Sequence, residues 1–221
     1  MKELPLRPGL LVEGNSDSRY LEALIRKQLD VLVERSDRHV EVYPCDTSPD
    51  GWTNKPAADV LAEAKSLARD CDLLFVHCDG DAADKAYGYV ARLKEWAEAE
   101  KRAGQAVALV PVLMTESWML ADKAALAAVV PGLDIRSYPY TTPAEVEKRV
   151  TPPGKAGKGK GKAKLGPKQV WDQLLGRDAH SVLQDDADIL VQHTDLDVLD
   201  KVPSYRAWRE ATEEALRPRY L

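Results

Sequence analysis

The stretch Leu73-Leu74-Phe75-Val76-His77-Cys78 presents no polar face, and it constrains the chain more than any other segment. A strand that is apolar on both sides must be covered on both sides. That is the environment of a central strand in a parallel sheet with helices above and below it. Asp79-Gly80-Asp81 follows directly, so two carboxylates stand where this strand ends. An earlier apolar run, Leu10-Leu11-Val12, ends in the same way on Glu13-Gly14. Strand ends of an open α/β sheet gather at one edge, where ligands bind. Carboxylates converging there repel one another unless a divalent cation lies between them, and hard oxygen donors suit Mg²⁺ or Mn²⁺.

The hydrophobic pattern supplies the layers around that run. Strands are expected at residues 10–13, near 39–44, at 73–78 and over 107–113, with a polar loop through 45–56. Leu21, Leu24, Ile25, Leu29 and Leu32 recur with a period near 3.6 after a cap at Ser16 or Asp17, which predicts a helix. Further helices are expected from Ala57 to Ala68, over about 82–103 to a stop at Gly104, and from Glu116 to Val129 before Pro131-Gly132. This alternation predicts an α/β fold over residues 1–135, a doubly wound, mostly parallel sheet flanked by helices. Residues 136–221 read as a helical C-terminal extension packed on one edge of the sheet. Its patterns lie at 168–175, 179–192 and 204–216, the last with Tyr205, Trp208, Thr212 and Ala215 on one stripe. Between them, residues 152–168 form a Lys/Gly-rich loop that cannot bury a core.

Composition narrows the function classes. With 221 residues, 44% of them hydrophobic, the chain can enclose a sizeable core. A net charge of −5 argues against a generic polyanion binder, so any nucleic-acid contact has to come from a local basic patch. Lys155, Lys158, Lys160, Lys162 and Lys164 supply one. Charge runs are usually solvated insertions. Beside an acidic pocket that must accept a polyanion, the reading preferred here is a clamp on the phosphate backbone. Cys45, Cys71 and Cys78 show no C-x-x-C spacing and read as reduced thiols. With no apolar stretch near the roughly 20 residues of a membrane span, and an N-terminus lacking a signal-peptide core, a soluble cytoplasmic protein is expected. No G-x-x-x-x-G-K-[ST] loop occurs, so any nucleotide hydrolysis has to come from another chain.

Each candidate residue has a plainer reading beside the chemical one. Asp17 is equally well a helix cap. An isolated D-x-D such as Asp79-Gly80-Asp81 is common in turns. Glu116 fits a helix N-terminus favoured by the macrodipole. His77 and His180 are conceivable bases, although a histidine inside an apolar strand is more often satisfied within the core. Order and spacing give the acids their weight.

That order resembles the Toprim domain of topoisomerases, primases and OLD-type nucleases, in which a Glu-Gly strand end precedes an Asp-x-Asp after a later strand. Glu13-Gly14-Asn15-Ser16-Asp17 is similar to the E-G-x-[ST]-[ED] pattern of the OLD branch. A nearer likeness is to a small bacterial family, domain of unknown function four-two-seven-six, whose members are stand-alone Toprim proteins encoded beside ATPases in defence loci. It rests on Glu116-Ser117-Trp118-Met119-Leu120-Ala121-Asp122, on Pro167-Lys168, and on Asp195-Leu196-Asp197-Val198-Leu199 leading into Pro203-Ser204-Tyr205. The resemblance implies a metal-dependent nuclease acting on DNA or RNA and controlled by a partner ATPase, with oligomerisation open. It implies that Glu13, Asp17, Asp79 and Asp81 hold Mg²⁺ or Mn²⁺, that Glu116 completes a second metal position, and that Lys168 assists the transition state. Two ions about 3.5–4 Å apart would then divide water activation and leaving-group stabilisation between them. The alternatives are a non-catalytic, metal-ordered nucleic-acid-binding or regulatory subunit of an ATPase complex, and a phosphatase with an aspartyl nucleophile.

Overall fold

Four parallel strands make the main sheet, in the order β4 (Asp46–Thr47), β2 (Pro8–Leu11), β5 (Leu73–His77), β6 (Gln105–Leu109). Two more, β1 (Leu4–Leu6) and β3 (Val40–Val42), pair in parallel as a separate ribbon. The computed structural model describes residues 3–101, 105–151, 164–176, 182 and 186–221. The expected α/β architecture is present. β5 is central, paired on both sides and buried throughout.

Side chains alternate across β5 and sort the core into two layers. Leu73 and Phe75 face α1 (Ser18–Val33), while Leu74 and Val76 face α2 (Ala57–Asp70) and α3 (Ala83–Ala99). The stripe on α1 is fully covered, and burying a side chain such as Leu24 or Ile25 stabilises by about 1.5–3 kcal/mol. Lys27 on the same helix donates from Nζ to the carbonyls of Val191, Gln192 and Thr194, at 2.9, 3.0 and 2.7 Å. It thereby closes the C-terminus of α7 (Ala187–His193), where carbonyls lack helical partners.

Several boundaries differ from the sequence reading. β2 stops at Leu11, two residues short of Glu13, and β1 and β4 lie in segments too short to carry a pattern. β6 ends at Leu109, not at 113. Pro111 has no N–H to donate, and Leu113 takes a left-handed φ of 70°, so the apolar run continues after the ladder has stopped. The single helix expected from Glu116 is two, α4 (Glu116–Ala121) and α5 (Lys123–Val129). They break at Asp122, whose Oδ1 accepts from the N–H groups of Ala124 and Ala125 at 3.0 and 3.1 Å. Its Oδ2 accepts from the Asp195 N–H at 2.8 Å.

The C-terminal helices cover a face of the sheet, not an edge. They comprise α6 (Pro167–Leu175), α7, α8 (Leu196–Leu199) and α9 (Pro203–Leu216). Trp208 of α9 meets Phe75 of the central strand at 5.7 Å between ring centroids, and Trp118 of α4 packs between Tyr205 and Trp208. Aromatic rings at these separations add to plain area burial. The α1 side of the sheet and the C-terminal third share one hydrophobic core. Among the described residues, no helix is long and apolar enough to cross a membrane. All three cysteines are unpaired.

Candidate metal centre

The strand order places the ligand crevice. Chain direction across the sheet reverses between β2 and β5: from β2 the chain moves outward to β4, then returns to the other side for β5 and β6. A crevice opens beyond the carboxyl ends of strands at such a switch point. Glu13 follows β2 and Asp79 follows β5, so the topology brings these two acids to one mouth.

The loop after β4, a featureless connection in the sequence reading, ties the two strand ends together. Trp52 donates its backbone N–H to the Val12 carbonyl at 3.1 Å and its indole N–H to the His77 carbonyl at 3.2 Å. Thr53 holds the Glu13 carbonyl through its N–H at 3.2 Å and its hydroxyl at 2.7 Å. Gly51 allows this approach. A Cβ there would lie 2.4 Å from the Glu13 carbonyl oxygen and 2.8 Å from Gly14 Cα. At Gly14 a Cβ would meet nothing within 4 Å.

The opposite wall is the loop between β6 and α4. It lies against Gly80, where a Cβ would sit 2.8 Å from the Leu113 nitrogen. The left-handed turn at Leu113 delivers Thr115, which is fully buried. Its N–H donates to Asp79 Oδ1 at 3.1 Å, and its hydroxyl pairs with His77 Nε2 at 3.0 Å. Glu13 Oε2 accepts from the Asp79 N–H at 2.9 Å. Glu13 thus holds the backbone on which Asp79 stands.

Asp17 occupies the N-cap position of α1 but makes no capping bond with its side chain, which accepts from the Ser16 hydroxyl at 3.3 Å. Its carboxylate turns to the crevice. Ligand atoms of Asp17, His77 and Asp79 all lie within 4.8 Å of one another, the only such group of potential metal ligands among the described residues.

The electrostatics are those of a site short of positive charge. Burial first, then the charges of Asp17 and Glu116, push Asp79 up to about 7, against the Thr115 N–H. Burial and then Glu116 raise Asp17 to about 6, opposed by hydrogen bonds from Ser16 and Thr115 and by the charge of Lys168. Glu116, buried at the first turn of α4, is raised chiefly by desolvation, again against Lys168. Burial holds the His77 imidazole neutral, its value pushed down to about 3. A divalent cation reverses this logic by favouring the ionised carboxylates. The donors fit one: two carboxylates, and an enclosed imidazole whose Nδ1 has no hydrogen-bond partner among the described residues.

The other sequence candidates fall around this group. Lys168 is exposed at the start of α6, its N–H 3.2 Å from Met114 Sδ, and its charge reaches Asp17 and Glu116. Asp81 is exposed on the 3-10 turn after β5 and lines a groove of about 1120 Å³ along the free edge of β6, outside the close group. Lys164 is exposed. Lys155, Lys158, Lys160, Lys162 and His180 lie outside the described residues.

Sequence reasoning missed Thr115, Trp52 and Gly51, and took His77 for a satisfied core residue. Only His77 carried a signal, as the one polar side chain in an apolar run that ends on acids. Comparison of the chain with protein-family models, with curated proteins and with solved structures finds no match.

Proposed function

We propose that this chain is a divalent-metal-dependent nuclease that hydrolyses phosphodiester bonds of DNA or RNA, with Mg²⁺ or Mn²⁺ held at the switch point. The observation that carries the reading is the convergence of half-buried Asp17 and Asp79 on one spot with Glu116 close enough to raise both carboxyls. Carboxylates forced together away from water are costly to a fold and are found where a site uses them. A cation bound there would supply charge neutralisation and an activated water at a scissile phosphate. The chain's own groups do the rest. Thr115 and Glu13 fix Asp79 through hydrogen bonds, and Lys168 offers a positive charge at the same mouth for the developing negative charge of the phosphate. The resemblance of Glu13-Gly14 and Asp79-Gly80-Asp81 to Toprim motifs supports the class, and with it control by a partner ATPase.

One observation favours the non-catalytic alternative. Glu13 is engaged by the Asp79 N–H and Asp81 faces the groove, so only part of the predicted acid set converges. Cleavage of labelled single-stranded DNA, double-stranded DNA and RNA, with Mg²⁺, Mn²⁺ or EDTA, separates the two. Metal-dependent cutting abolished by Asp79→Asn supports the nuclease. Metal and nucleic-acid binding without cutting in any combination supports the binding subunit.

A further inference from the structure

We infer that His77 is a direct nitrogen ligand of the metal, and that its nitrogen makes the site select Mn²⁺ and similar first-row ions over Mg²⁺. The inference rests on the metal-site reading above and goes beyond it by naming a ligand that the acid motifs do not contain.

His77 is the last residue of β5 and shares the side of Leu73 and Phe75, so its ring enters the core toward α1 and α4. It is wholly enclosed, at 0% exposure. Nε2 pairs with the Thr115 hydroxyl at 3.0 Å, while Nδ1 has no hydrogen-bond partner among the described residues. Buried polar atoms nearly always find a partner, and a half-satisfied imidazole beside two carboxylates points to an occupant such as a water or an ion. One ring nitrogen lies within 4.8 Å of carboxylate oxygens of both Asp17 and Asp79.

Two of the predicted acids do not join the close group. Glu13 Oε2 accepts from the Asp79 N–H, and Asp81 lines the groove beyond the group. At closest quarters stand two carboxylates and the imidazole, with the Glu116 carboxylate near enough for its charge to raise both acids. Mg²⁺ takes oxygen donors in near-octahedral order and keeps its waters, whereas first-row divalent ions accept an imidazole nitrogen, Mn²⁺ the most weakly of the series. A ligating histidine is ordinarily fixed by a hydrogen-bonding neighbour beside the metal, a part Thr115 is placed to take.

The test uses the full chain with Mn²⁺ as probe. Pulsed electron paramagnetic resonance reads directly bound ¹⁴N on Mn²⁺, and calorimetry gives affinities for Mn²⁺ and Mg²⁺. The expected result is a ¹⁴N coupling on bound Mn²⁺, with Mn²⁺ held about tenfold or more tightly than Mg²⁺. His77→Gln should remove the coupling and weaken Mn²⁺ by about tenfold or more, with little change for Mg²⁺. If that variant does not fold, the wild-type spectrum alone decides. Bound Mn²⁺ without ¹⁴N coupling overturns the inference while leaving the nuclease reading intact. A ¹⁴N coupling in a protein that cuts no nucleic acid does the reverse. Failure to bind Mn²⁺ at all removes both.

Discussion

Asp72 and Asp79 flank the same strand, β5, one at each end, and both carboxylates are largely withdrawn from water. Asp72 is compensated. Its side chain is 6% exposed, and it accepts from the Arg7 N–H at 3.0 Å, from Arg7 Nε at 3.1 Å and from Arg219 Nη1 at 2.9 Å. Burial raises it, but the hydrogen bonds and charges of the two arginines outweigh burial and leave it below its ordinary value. Asp79 is not compensated: burial and three neighbouring acids, Asp17, Glu116 and Glu13, carry it to about 7. One end of the strand uses a carboxylate to fasten the chain terminus, while the other stores a repulsion that a cation can discharge. The contrast in partners, more than burial itself, separates a structural acid from a candidate ligand.

The largest expected effect is on activity. Asp79→Asn keeps an oxygen for the Thr115 N–H but removes a charge, so metal-dependent cleavage should fall to background. The same substitution should raise the metal-free melting temperature at pH 8, by about 2–4 °C for each kcal/mol of repulsion relieved. Asp72→Asn should act in the opposite sense. It loses charge-assisted bonds to two half-exposed arginines, and about 1–2 kcal/mol of stability should go with them. Equal effects from the two substitutions would break the distinction.

Gly51→Ala comes next. Its methyl group has no room against the Glu13 carbonyl, so the turn carrying Glu13 must move and the backbone of Asp79 with it. Cleavage should drop by about 10²-fold, the scale on which a misplacement near 1 Å acts. Lys168→Met should lower turnover by about tenfold or more through the lost positive charge, with melting temperature little changed. Replacing Lys155, Lys158, Lys160, Lys162 and Lys164 by Ser has the smallest effect, weaker nucleic-acid binding and a flatter dependence on salt.

Acidity separates the two ends as well. Asp17 and Asp79 hold their protons in the fold to about 6 and about 7, whereas an unfolded chain releases them near 3.8. The metal-free site therefore favours the fold below about pH 4, and that contribution is lost as pH rises through 6 to 7. Asp72, with its lowered value, contributes above its unfolded value near 3.8, and its share is lost as pH falls below that. Chemical denaturation of the metal-free protein across pH 3–8 should show the first decline, and Asp17→Asn/Asp79→Asn should reduce it to the share of Glu116, which burial also raises.

What the sequence disclosed follows from what a linear pattern can hold. The run 73–78 announced a central parallel strand because burial on both faces leaves no polar positions. Glu13 and Asp79 were legible because each ends such a run. Asp17 was ambiguous: cap and ligand need the same residue at the same place, and only the absence of a capping bond resolves it. β6 was overdrawn to 113 because Val110, Val112 and Leu113 stay apolar after the hydrogen-bond ladder has ended. The break at Asp122 was hidden because its two capping bonds are local geometry inside an unbroken helical pattern. Thr115, Trp52 and Gly51 lie at sequence distances of roughly 25 to 40 residues from what they hold in place, and only the folded sheet brings them together.

The measurement that bears most directly on the central claim is the melting temperature at pH 8 of wild type, Asp79→Asn and Asp72→Asn, each with Mn²⁺ and with EDTA. A cation bound at Asp17 and Asp79 stabilises the native state in proportion to its occupancy. Wild type and Asp72→Asn should therefore rise together on adding Mn²⁺, while Asp79→Asn stays where it is. A shift in Asp79→Asn as large as that of wild type would contradict the site.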